Sequence, residues 1–214
     1  MIYRNTIEAY ERLSLQLEIE GKKFENKSIR SKSVNGVVKE IIGISWGVTD
    51  TSDIIDLISG ITDTELAFNN RVEWLSHLAE EFVSPEPVFP SKVNPNPHYS
   101  YSQRICSQLP RIIRHLKKHR NSPDRQALIS IWSPTLDSTV LGYQEVPCSI
   151  GYHFLLRGTN LYLVYYIRSL NLEIWPNDVY LSRAVQRYIA ARIEATPASV
   201  TFQVGSLHTF RRSV

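Results

Sequence analysis

Two runs rich in apolar, β-branched and aromatic residues, Ser149 to Leu156 and Leu161 to Arg168, flank the tetrapeptide Arg157-Gly158-Thr159-Asn160. A glycine among small polar residues between two such runs is a hairpin signal. An isolated hairpin is unstable until its apolar face is covered. The cover follows in the chain: Val179 to Arg192 reads as a buried helix opened by Asp178. Val200 to Val204 reads as a final short strand leading into His208. Upstream, Val37 to Val48 and Gln126 to Trp132 carry strand composition. Residues 5 to 20 place Ile7, Tyr10, Leu13 and Leu17 at helical intervals, with Thr6 as a cap. Asp50 to Gly60 reads as a turn and short helix, Glu65 to Phe82 as an amphipathic helix, and Ser102 to His119 as a helix interrupted by Pro110. This order predicts an α+β fold, one mostly antiparallel, mixed sheet packed by helices, in a single domain over residues 1–214. Ser84 to Pro97 holds five prolines and is expected to be an extended surface loop.

Composition narrows the function classes. A net charge of +3 over 214 residues does not predict a nucleic-acid surface. The basic residues Arg111, Arg114, Lys117 and Lys118 read as a solvated helix face that complements the helix dipole. Two cysteines, Cys106 and Cys148, make no disulfide framework, and the six histidines show no zinc spacing. Cys106 lies in an apolar-periodic stretch and reads as a structural thiol. The N-terminus has no basic head followed by an apolar run, and no run approaches membrane-spanning length. A reducing, cytoplasmic setting is expected, which keeps Cys148 a thiol.

Chemistry-bearing residues recur in one order. Pro147-Cys148 is followed by Arg168-Ser169, then Trp175-Pro176-Asn177-Asp178, then Gly205-Ser206-Leu207-His208. A cysteine thiolate is a nucleophile, and a neighbouring arginine favours the thiolate. Arginine also grips phosphate as a bidentate fork. An Asn or Asp can read a base edge, and a His can hold a sugar hydroxyl. Together they point to chemistry on a nucleotide.

With Tyr99-Ser100-Tyr101-Ser102-Gln103-Arg104 and the stretch Ser122 to Trp132, these motifs resemble the thymidylate synthase superfamily, which includes the deoxycytidylate and cytidylate hydroxymethylases. The match is good over residues 99 to 210 and weak before them. The resemblance implies that Cys148 adds to C6 of a pyrimidine and that Tyr101 lies near the reacting base. It implies that Arg168 and Ser169 bind the 5′-phosphate, joined by Arg125 lent from the second subunit of a homodimer. His208 falls on the ribose contact. Arg30, in the basic loop Lys27 to Val34, is the candidate for an N-terminal phosphate contact. Glu65, in competition with Glu73, is the candidate for the glutamate that organises water and proton transfer. The one-carbon source would be 5,10-methylenetetrahydrofolate, with Asn171 at the position of a folate-holding aspartate. No membrane partner and no direct nucleic-acid binding are implied.

The base reader decides the substrate. An Asn two residues after a Pro pairs with uracil, whereas an Asp there suits the amino group and N3 of cytosine. Pro176 is followed two residues later by Asp178, so a cytidylate and hydroxymethylation are favoured. Against the family, the interval from Arg168 to Asp178 is one residue short; a two-residue deletion between Arg168 and Pro176 would instead put Asn177 in the slot and make dUMP the substrate. Three departures from the family pattern are Ser149 for a common His, Asn171 for Asp, and Phe210 for Tyr. The sequence ends four residues after Phe210, where family members continue with strands and a tail over the folate. A fold shortened at the C-terminus is therefore expected, and a non-catalytic nucleotide-binding homologue is the alternative.

Overall fold

A computed structural model describes residues 1–25, 37–84 and 99–210. The candidate Arg30, the basic loop around it and nearly all of the proline-rich stretch lie outside the described residues. Among the described residues seven strands form one mixed sheet: β1 (Ile2–Tyr3), β2 (Lys22–Glu25), β3 (Val37–Val48), β4 (Leu128–Ser130), β5 (Ser149–Arg157), β6 (Asn160–Asn171) and β7 (Thr196–Phe210). Their spatial order is β1-β3-β7-β6-β5-β4, with β2 also paired to β3. β1 runs parallel to β3 and β6 parallel to β7, while the other pairs are antiparallel. Among the described residues seven helices accompany them: α1 (Thr6–Glu20), α2 (Ile54–Gly60), α3 (Glu65–Val83), α4 (Tyr101–Cys106), α5 (Leu109–Lys118), α6 (Pro134–Asp137) and α7 (Trp175–Arg192). No helix among the described residues is long and apolar enough to cross a membrane.

The predicted hairpin is β5–β6. It closes on Arg157 paired with Asn160, and Gly158 takes a φ of +58° that suits a residue without Cβ. The sheet lays one face on the helices. Trp46 of β3, Phe202 of β7 and Trp175 of α7 meet there with ring centroids 5.4 to 5.7 Å apart, all fully buried. Trp175 thereby pins the first turn of α7 to the sheet, and that turn carries Asn177 and Asp178.

One line across the sheet positions the site. On β6 the buried residues are Leu161, Leu163, Tyr165 and Ile167, and then the phase changes to Leu170. On β7 it changes from Val204 to Leu207, and on β5 from Tyr152 to Ser149. On β3, Ile44 is buried while Ile42 is 74 % exposed. Each switch is a bulge or kink, because alternate side chains of a regular strand keep to one face. Gly43, with φ +70°, and Gly205 sit in the kinks of β3 and β7, and Gly205 lies directly against the backbone of Arg168. A Cβ on Gly205 would stand 2.8 Å from the Arg168 carbonyl oxygen. Gly205→Ala is thus expected to cost about 1–3 kcal/mol in urea unfolding, because the neighbour is backbone and must move. A stability equal to that of the unaltered protein would show that the kink tolerates a side chain.

Several sequence-based expectations change. Asn5, not Thr6, caps α1, its side chain accepting from the Glu8 N–H at 2.9 Å. Thr6 instead binds the Asp53 carboxylate, which also accepts from the Thr6 and Ile7 N–H groups. Pro110 starts a second helix rather than interrupting one, because proline fits a first helical turn, where its missing N–H is not needed. α7 begins at Trp175 with Pro176 in its first turn, so Asp178 lies inside the helix and is not its N-cap. The last strand is not short. It runs on past the kink at Gly205, and His208 belongs to it.

Candidate active site

Cys148 sits immediately before β5, gripped from two sides. The Arg168 N–H donates to the Cys148 carbonyl at 2.8 Å. The exposed Arg168 guanidinium donates to the carbonyls of Pro147 at 2.9 Å and Val146 at 3.0 Å. On the other side, the Cys148 N–H donates to the Tyr101 phenol oxygen at 3.0 Å. Alternation along β6 makes this possible, since Arg168 follows the core-facing Ile167 and so points to the opposite face.

Tyr101 opens α4, which is fixed by an ion pair one turn on. Arg104 forks onto the buried Asp137 carboxylate at 2.7 and 2.8 Å, and Ser133 N–H adds a further bond to it. The Tyr101 ring packs on Phe82 of α3 and Tyr99, with centroids at 6.2 and 5.3 Å. Burial raises the Tyr101 phenol well above its ordinary pKa, so it remains a neutral hydroxyl beside the cysteine.

Beyond Tyr101 a row of hydroxyls runs into the protein. The buried Ser149 hydroxyl faces the Tyr101 phenol and hydrogen-bonds the buried Tyr165 hydroxyl. Tyr165 donates to Asp178 Oδ1 at 2.9 Å. The Asp178 carboxyl is pushed up to about 7, because its enclosure disfavours the charge more than the Tyr165 bond restores it. Asn177, one residue earlier, turns toward α3, where Arg71 Nε donates to its Oδ1 at 2.9 Å. A step of one residue on a helix swings a side chain by about 100°, which is why these neighbours have separate partners.

The far end of β6 gathers the remaining candidates. Ser169 lies opposite Ser206, and Asn171 opposite His208. His208 also pairs in register with Glu40, whose carboxylate accepts a hydrogen bond from the Ser206 hydroxyl. Burial lowers the His208 pKa, outweighing the opposite pull of Glu40, so the ring is neutral at pH 7. Asn171 Oδ1 accepts from the Glu173 N–H at 3.1 Å and caps the turn leading to α7.

Three candidates, Glu65, Glu73 and Arg125, are not brought to Cys148. Glu65 is exposed on the first turn of α3, whereas that helix meets Tyr101 through Phe82 near its other end, roughly 25 Å along the axis. Its competitor Glu73 is exposed as well, near His77. Arg125 is exposed before β4, its carbonyl accepting from His153 of β5, which lies about 17 Å along the strand from Cys148. Two surface cavities of about 490 and 500 Å³ lie beside α5 and beside the β5–β6 turn, away from these residues.

The family model for thymidylate synthase matches residues 4–214. The chain belongs to the thymidylate synthase family. No curated protein matches it significantly. Family membership sets the general chemistry as folate-dependent transfer of a one-carbon unit to C5 of a pyrimidine nucleotide, generally from 5,10-methylenetetrahydrofolate. Asn171 has an amide where the resemblance places a folate-holding carboxylate, and its Oδ1 accepts one bond, from the Glu173 N–H.

Sequence reasoning missed Tyr165, Tyr152 and Arg71. The signal for Tyr165 was present. A tyrosine on the core-facing row of a strand must find a partner for its hydroxyl, and Asp178 is the nearby carboxyl that takes it.

Proposed function

We propose that this thymidylate synthase family member transfers a one-carbon unit to C5 of a cytidine or deoxycytidine monophosphate and yields the hydroxymethyl product. It does so as one domain over residues 1–214, in a reducing, cytoplasmic compartment. The observation that carries the reading is the hydroxyl row from the Cys148 backbone through Tyr101, Ser149 and Tyr165 to Asp178, with Asn177 held aside by Arg71. A base whose C6 meets Cys148 has its C4 edge toward this row, and a carboxylate there accepts from the cytosine amino group.

The residues divide the work. The Cys148 thiolate forms a bond to C6, and the electron pair displaced from the C5–C6 double bond makes C5 nucleophilic. The Arg168 guanidinium beside the cysteine favours the thiolate and, being exposed, is open to the 5′-phosphate with Ser169. Neutral His208 hydrogen-bonds a sugar hydroxyl. The folate, when bound, supplies an electrophilic carbon to C5. Loss of the C5 proton with departure of tetrahydrofolate would leave an exocyclic methylene at C5, and addition of water to that carbon with release of the Cys148 thiolate from C6 would give the hydroxymethyl group and restore the C5–C6 double bond. The test is tritium release from C5-labelled dCMP, CMP and dUMP, with and without methylenetetrahydrofolate. Release from a cytidylate supports the reading. Release from dUMP alone moves Asn177 into the base slot, and no release from any of them favours a non-catalytic homologue.

The active unit is a homodimer in this reading. The sheet face turned away from the helices is open and carries Ile2, Ile42, Leu128 and Ile150, between 45 and 79 % exposed. A second copy covers such a surface most simply by two-fold packing. Arg125 then serves the phosphate of the opposite subunit. Mixing inactive Cys148→Ser and Arg125→Ala dimers and allowing exchange should restore about a quarter of full activity, since half the dimers are hybrids with one intact site. No recovery, with exchange verified by mass, would mean Arg125 is not shared.

A further inference from the structure

We propose that Tyr165 is the positioning residue that sets base specificity: its phenol occupies Asp178 Oδ1 and leaves Oδ2 alone to accept from the amino group of a cytosine. The inference rests on the cytidylate reading above and goes beyond it, since it assigns the selectivity to a pair of residues rather than to Asp178 alone.

The geometry is restrictive. Among the described residues Oδ2 accepts no hydrogen bond, while Oδ1 accepts from Tyr165 at 2.9 Å. Tyr165 cannot swing away. It is 2 % exposed, its ring meets Tyr152 edge-on at 4.6 Å, and it leans on Phe202 at 5.9 Å. Asp178 is therefore denied the rotation that would present both oxygens to a ligand.

Proton counting gives the row a direction. A phenol has one proton, and Tyr165 gives its proton to Asp178. Ser149 must then donate to Tyr165, and its oxygen lies toward the Tyr101 phenol. The Ser149 and Tyr165 donors both point toward Asp178, and such a pair favours an ionised acceptor at its end. Burial opposes this and raises the carboxyl toward neutrality. The groups facing Asp178 are Tyr165 on β6, Tyr152 on β5 and Tyr101 on α4, with Arg71 of α3 bound to its neighbour Asn177. None of the three tyrosines carries charge at neutral pH, so the Tyr165 proton is the main specific support for the carboxylate.

The sign of the pH effect follows. Oδ2 accepts from an amino group only when Asp178 is ionised, so activity on a cytidylate rises as pH passes through the Asp178 pKa. Removing the phenol proton removes support for the charged form and moves that rise to higher pH. Tyr165→Phe should shift it by about one pH unit, the scale of one hydrogen bond to a charged group. Ser149→Ala should shift it the same way by less, because it only weakens the donor behind Tyr165.

Two measurements test this. The first is a ¹³C-carboxyl NMR titration of Asp178 without nucleotide, in the full chain and in both variants, assigned with Asp178→Asn. The second is the pH profile of C5 tritium release from dCMP and CMP. The expected result is a parallel upward shift in both. An Asp178 titration unmoved in folded Tyr165→Phe, with only a uniform loss of rate, overturns the proposal and leaves Tyr165 a packing residue. Should Tyr165→Phe not fold, an unmoved titration in Ser149→Ala overturns it equally. A shifted titration with no tritium release from any cytidylate sinks the substrate reading, yet leaves the hold of Tyr165 on Asp178 established.

Discussion

Cys148→Ser is expected to lose C5 tritium release by about a thousandfold or more. The size follows from the chemistry. Addition at C6 needs an anionic or strongly nucleophilic atom. A cysteine with a free-solution pKa of about 8.5 supplies one when a cation lies beside it. A serine hydroxyl does not reach that state here, because Tyr101 touches the Cys148 backbone rather than its side chain and is itself held neutral by burial. The exchange is nearly isosteric and the site is only half-buried, so folding should survive. The measurement pairs turnover with equilibrium binding of the nucleotide. Binding within a few-fold of the unaltered protein, with turnover gone, locates the loss in the covalent step. A 5-fluoropyrimidine monophosphate with the folate should add its mass to the peptide bearing Cys148 and to no peptide of the variant. Retained turnover in Cys148→Ser would remove the nucleophile from the account entirely.

Much of this arrangement was readable in the residues. The Arg157–Asn160 turn set the β5–β6 hairpin, and that hairpin brings its two feet, Cys148 and Arg168, together. What misled was the kink line. Sequence patterns detect a strand by strict alternation, and β7 breaks alternation at Gly205. The strand therefore reads as finished at Val204, and His208 reads as lying beyond it. The same shift hides that β6 continues to Asn171. β1 and β2 span two and four residues, too few to show a period. Glu65 and Glu73 compete in the sequence, because distance along the chain from Tyr101 does not say which end of α3 faces the site. Asp178 was ambiguous because Asp is both a helix-start residue and a base reader. The start of α7 at Trp175 removes the helix-start role, and base reading is the role proposed for it.

Asp178→Asn should reverse the base preference, lowering exchange from a cytidylate by about a hundredfold or more while exchange from dUMP appears. Uracil presents an N3–H donor and an O4 acceptor. An asparagine whose oxygen is held by Tyr165 turns its nitrogen to the base and donates to O4. An ionised Asp178 places Oδ2 against O4 and repels it. The variant removes that repulsion and keeps Tyr165 in place, since an amide oxygen still accepts the phenol proton. An unchanged ratio of dCMP to dUMP exchange would show that Asp178 does not face the base. Stability gives an independent check on the same carboxyl. Its folded pKa of about 7 lies above the unfolded value of about 3.9, so the folded protein binds more protons between them. Asp178 therefore costs stability as pH rises from about 4 through about 7. Asparagine carries no charge, so Asp178→Asn should unfold at higher urea than the unaltered protein at pH 8, and the difference should vanish near pH 4. Two proteins that melt alike at both pH values would mean that Asp178 ionises as freely folded as unfolded. The enclosed, Tyr165-held carboxyl on which the base preference depends would then be absent.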